Sequence, residues 1–104
     1  MIFRRGRFGG LIARQLDLFE RDHGDVIEQA RERLESYNRA RRSEAEELYG
    51  DYADAIETGA EMLADLRDSY SSTLEEDVGE EYRREFNRAV EKRLPSFASE
   101  IDDS

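Results

Sequence analysis

Glu20-Arg21-Asp22-His23 is the one stretch in which a carboxylate and an imidazole stand at a spacing that chemistry could use. Three residues apart on a helix, Glu20 and His23 share a face and could both reach one divalent metal. Such a site needs further inward carboxylates. Folding the chain back at about residue 41 sets His23 level with Gly59, between Ile56 and Leu63, while Glu57 and Glu61 turn outward. The simpler expectation is a half-buried ring resting over the gap that Gly59 leaves. His23 is the sole histidine and cysteine is absent, so thiolate metal sites and disulfides are excluded and the acid–base palette is poor. No EF-hand loop, phosphate-binding loop or nucleophile elbow occurs. We expect no catalytic residue, no cofactor and no resident metal.

The Glu-x-x-His spacing resembles that of ferritin-like di-iron bundles, in which the pair works with carboxylates from neighbouring helices. That resemblance implies an alternative function, a metal-binding half-bundle whose site, built on Glu20 and His23, is completed by dimerisation.

Charge supplies the other candidates. Residues 43–81 carry fourteen acids against one base within a chain of net charge −10. Glu47, Asp51, Asp54, Glu61, Asp65 and Asp68 form an acidic strip along one side of a helix, the sort of face that meets cations, a basic partner or simply solvent. At the start, Ile2, Phe3, Arg4, Arg5, Arg7 and Phe8 combine charge with apolar anchors beside Gly6, Gly9 and Gly10, which suits an interaction arm. Arg4-Arg5 lacks the apolar run that an export signal needs. We expect the arm to reach the acidic strip of a neighbouring chain. Arg84, Arg88 and Lys92 line one side of a later helix, a patch too small and too neutralised for nucleic acid. Membrane contact is expected nowhere except through the arm, and no apolar run approaches the ~20 residues of a membrane span.

The elements that must carry these groups are helices. With Tyr49 at heptad position a, the a and d columns hold Tyr49, Tyr52, Ile56, Gly59, Leu63, Leu66 and Tyr70, a helix-packing seam opposite the acidic strip. Ser43 with Glu46 reads as a capping box, so a helix is expected over 43–72. A second stripe, from Ile12 through Leu16, Phe19, His23, Ile27, Ala30 and Leu34 to Tyr37, keeps its phase across Gly24 and predicts one continuous helix over 11–40. Thr73 and Glu76 suggest another capping box and a shorter helix over 74–94, ended by Pro95. Phe97 and Ile101 should fold back in a short last turn.

The expected fold is therefore all-α, an antiparallel helical hairpin with a third helix in a coiled-coil-like bundle. Residues 1–10 would be a flexible basic arm, 11–98 a single domain and 99–104 an acidic frayed tail. Apolar content of 38% against 40% charged is lean, which fits narrow seams relieved by association. The expected function is a non-catalytic interaction or assembly module. Its partner would be itself, as a homo-oligomer, or another helical protein, and its address the cytoplasm.

Overall fold

Helices carry nearly all of the chain in the computed structural model, which describes residues 6–102. They are α1 (Gly9–Asp22), α2 (Gly24–Asn38), α3 (Ala45–Ser71), α4 (Glu76–Arg93) and α5 (Pro95–Asp102), with no strand among the described residues. The molecule is a helical bundle about 50 Å long and 32 by 23 Å across. No helix among the described residues is long and apolar enough to cross a membrane.

α2 and α3 form the expected antiparallel hairpin, turning through residues 39–44, and their mutual packing is the most extensive in the bundle. The expected single helix over 11–40 is instead two. His23, at φ −126° and ψ 33°, ends α1 and starts α2; its N–H donates to the Phe19 carbonyl at 2.8 Å and its own carbonyl accepts from Val26 at 3.0 Å. Gly24 lowers helix propensity at that point. The apolar stripe continues through the break, but its two halves serve different neighbours: α1 packs on α4, and α2 on α3.

Neither predicted capping box forms. The N-cap of α3 is Glu44, whose carboxylate accepts from the Arg41 N–H at 3.3 Å, and Ser43 lies in the turn before it. At the other end, turn hydrogen bonds run on from α3, so the Thr73 hydroxyl donates back to the Tyr70 carbonyl at 2.7 Å. The hydroxyl thus finishes α3 instead of starting α4. A helix end leaves orphan carbonyls as well as orphan N–H groups, and here the carbonyls win.

Pro95 does end α4, and it also begins α5, where the missing N–H costs nothing. Of the expected tail, residues 99–102 are helix: α5 runs to Asp102, and Phe97 and Ile101 lie in the core with Ile12, Leu16, Leu63, Phe86 and Val90. Tyr82 is the aromatic hub of that core. It meets Phe8 edge-on at 5.4 Å and Tyr70 at 4.8 Å, and its hydroxyl donates to Gln15 Oε1 at 2.7 Å.

α5 settles on α3 because α3 provides a hollow and a cation. A β-carbon at Gly59 would collide with the Phe97 ring, so α5, and not His23, fills the gap at that glycine. One and two turns later Leu63 and Arg67 are fully buried. Arg67 Nη1 donates to the Ile101 carbonyl at 3.1 Å and to Asn87 Oδ1 at 2.9 Å, while Nε and Nη2 hold both carboxylate oxygens of Asp68 at 2.8 and 3.3 Å. A buried guanidinium is tolerable only with its donors matched in this way. The hydrogen bond from Arg67, helped by the positive charges of Arg67 and Arg83, holds Asp68 below the ordinary carboxylate value against the opposing effect of its partial burial.

Two tests follow from this packing. Gly59→Ala must displace Phe97 and should destabilise by roughly 1–3 kcal/mol, whereas Gly50, with open space around it, should gain up to about 1 kcal/mol as alanine. Chemical denaturation of the two variants separates them, and equal effects would contradict the α3–α5 contact. The second test concerns pH. A depressed carboxylate stabilises the fold above its unfolded pKa, and that contribution disappears as pH falls through the folded value. Asp68→Asn should therefore melt below the wild type at neutral pH, and the gap should close below the ordinary value of 3.8; a gap constant with pH would show that the carboxylate charge is not what matters.

Candidate interaction surface at the hairpin tip

α5 is seated on α3 at Gly59 and Arg67, its first residues reach the level of Tyr52 and Leu34, and burial of the α2–α3 hairpin falls off from there toward its turn. The consequence shows in α2, whose only fully buried residue is Ala30, with Ile27, Leu34 and Tyr37 half-buried. On α3, Leu48 and Tyr52 are half-buried and Tyr49 is 52% exposed. Three rings are held together there: Tyr37 meets Tyr49 edge-on at 5.3 Å, and Tyr49 lies 6.2 Å from Tyr52. Arg33 Nη1 donates to the Asp51 carbonyl at 2.9 Å and ties the two helices at the same level. Aromatic pairs at such distances are rigid and present a large apolar area with a polar rim.

The tip is electrically divided. Residues 31–42 carry five arginines against two glutamates, and residues 44–54 carry five carboxylates and no base. Among the described residues no ion pair joins the two helices. Arg31 pairs with Glu28 and Arg39 with Glu35, each within α2.

The predicted seam is thus only partly the core. Ile56, Gly59 and Leu63 are buried, Tyr52, Leu66 and Tyr70 are half-buried, and Tyr49 faces out. In the second half of α3 the buried face moves to the next column, Ala60 and Arg67, because α5 packs on that side. A 3.6-residue helix also drifts away from a strict heptad. All six residues of the acidic strip are exposed. Asp68 is drawn out of the strip by Arg67 and by Arg83 at 3.5 Å; Glu47, Asp51, Asp54, Glu61 and Asp65 make no ion pair among the described residues.

Ile2, Phe3, Arg4 and Arg5 of the predicted arm lie outside the described residues. Its remaining members belong to the body of the bundle. The Phe8 N–H donates to Glu85 at 2.9 Å, Arg7 approaches Glu81 at 3.5 Å, and α1 is already helical at Gly9. Arg7 and Phe8 are held by α4 of the same molecule, with Phe8 edge-on to Tyr82.

Glu20 and His23 are drawn to other partners. The Glu20 carboxylate accepts from Arg93 at 3.0 Å, and the same guanidinium holds Asp17 at 2.8 Å and the Ala13 carbonyl at 3.2 Å. His23 is half-buried, 5.3 Å from the Phe19 ring. Among the described residues no group of three or more His, Asp or Glu side chains is placed to hold a metal ion.

Two concavities adjoin these elements. A crevice of about 250 Å³ opens between α2 and the α4–α5 junction, lined by Ile27, Leu34, Tyr52, Leu94 and Phe97; it is smaller than the usual range for small-molecule sites. A shallower groove of about 560 Å³ runs between α1 and α4, with Ile12 and Leu16 in its floor and Arg88 and Lys92 on its wall.

Arg67 and Arg93, the two cations that lock the bundle, were not legible as such in the periodicity, although Arg67 is the lone base in an otherwise acidic stretch. Comparison of the chain with protein-family models, curated proteins and solved structures finds no match.

Proposed function

We propose that the protein is a non-catalytic interaction module whose α2–α3 tip packs against other helices, joining copies of itself or a helical partner into an assembly. The observation that carries this reading is the exposed ring of Tyr49, held between half-buried Tyr37 and Tyr52 and flanked by half-buried Leu34 and Leu48. Tyr52 packs against the edge of the core, whereas Tyr37 and Tyr49 lie outside it, and Tyr49 is 52% exposed. Apolar area kept rigid at a surface is what a helix-packing interface requires, and Tyr is well suited to it, with few rotatable bonds and a hydroxyl for the rim. A single histidine leaves few groups for acid–base chemistry, which favours binding over catalysis. A cysteine-free chain also fits a reducing, cytoplasmic setting.

Tyr49→Glu puts a charge in the middle of the cluster while leaving the body untouched. It should keep the helical content and change the melting temperature little, and it should abolish association, read by light scattering for self-assembly and by affinity capture for a helical partner. Association that survives the substitution would move the interface elsewhere. A wild type that neither self-assembles nor captures a partner would end the reading.

A further inference from the structure

We infer that the groove between α1 and α4 is a binding site for a small apolar carboxylate, a free medium-chain fatty acid in chemical kind, separate from the association tip. The groove exists because the residues along it are small. α1 presents Gly9 and Ala13 to it and α4 presents Ala89, which leaves a trough of about 560 Å³ between two helices that are fastened at both ends. At one end the Phe8 N–H donates to Glu85, and at the other Arg93 holds the Ala13 carbonyl, Asp17 and Glu20. Ile12 and Leu16 form the floor and are themselves covered. A ligand would therefore lie on the alanine methyls, the glycine backbone and the methylene stems of Arg88 and Lys92, since long cationic side chains lay their stems along apolar surface. An apolar lining with a few charged groups, at this volume, is the usual make-up of a small-molecule site.

Charge selects the ligand. The groove is lined by three cations, Arg88, Lys92 and Arg93, and one carboxylate, Glu85, in a chain of net charge −10. Arg88 and Lys92 stand one turn apart on the α4 wall, both exposed, and neither makes an ion pair among the described residues. The carboxylates at the two ends are engaged, Glu85 by Phe8 and both Asp17 and Glu20 by Arg93. The groove is also polarised along its length. α1 and α4 run the same way, so Gly6, Gly9 and Glu85 mark one end and Leu16, Lys92 and Arg93 the other. A linear anion lies with its carboxylate between Arg88 and Lys92 and its tail toward Gly9, over about 10 Å of helix, the reach of an extended medium chain. Reversed, it would set its carboxylate against Glu85. Contacts this exposed make the binding weak and sensitive to salt.

Octanoate is the probe. Titrated at low salt into the isotope-labelled full chain, it should shift the backbone amide resonances of Gly9, Ala13, Ala89 and Lys92 as one saturable site, and octylammonium at the same concentrations should not. Arg88→Gln with Lys92→Gln should weaken octanoate roughly tenfold or more, the usual cost of losing charge-assisted contacts. Ala13→Leu fills the trough and should abolish binding although both cations remain. Circular dichroism checks that the variants stay helical, and the double glutamine variant, which alters two exposed side chains, decides the matter if Ala13→Leu does not fold. No saturable shift along the groove overturns the inference, as does equal binding of octylammonium or an affinity unchanged in the double variant. Shifts centred on residues 33–52 would give the ligand to the association tip and reject the groove.

Discussion

A guanidinium with no access to water decides how this bundle closes. Arg67 is 0% exposed, and its donors reach Asp68 on its own helix, Asn87 on α4 and the Ile101 carbonyl near the end of α5. A cation near the last carbonyls of a helix also meets the negative end of its dipole. Leaving such a charge without its partners costs on the order of 3–5 kcal/mol, a sizeable share of the stability of a small domain. The position of α5 is therefore fixed to that of α3 and α4, and with it Phe97 over Gly59 and Ile101 in the core.

Everything else about the surface follows from where α5 stops. It covers α3 from Gly59 to Arg67, and Arg93 fastens α1 to the end of α4 through Asp17 and Glu20. The body is then complete, and the remaining length of the hairpin is a two-helix projection that buries little. Two helices alone cannot bury stripes this wide, so Tyr37, Tyr49 and Tyr52 pack on each other and remain partly wet. The acidic and basic halves of the tip neutralise each other only at long range within one chain.

Periodicity made the helices, the hairpin turn near residue 41 and the return of Phe97 and Ile101 readable from residue types alone, because apolar spacing reports the face that is buried. It could not report which neighbour buries that face. The stripe through His23 holds its phase whether or not the axis bends, so the break between α1 and α2 was hidden, and Gly24 was its only mark. Likewise Gly59 announced a close approach without saying that α5 would make it. Arg67 stands at a column next to the seam and reads as solvent-exposed until Asn87 and Ile101, 20 and 34 residues further on, are brought to it. Capping boxes misled for a related reason: Ser43 and Thr73 are competent for either side of a turn, and the turn geometry chooses. At the surface, the heptad pattern places Tyr49 in the seam, yet the ring is 52% exposed and marks the tip.

The central claim is that the body is self-sufficient and the tip is the association surface, and amide hydrogen exchange at low and high micromolar concentration tests it most directly. Raising the concentration should slow exchange across residues 33–52 and leave the amides of α4 and α5 unchanged. Slowing confined to α4 and α5, or no change anywhere along α2 and α3, would contradict the account.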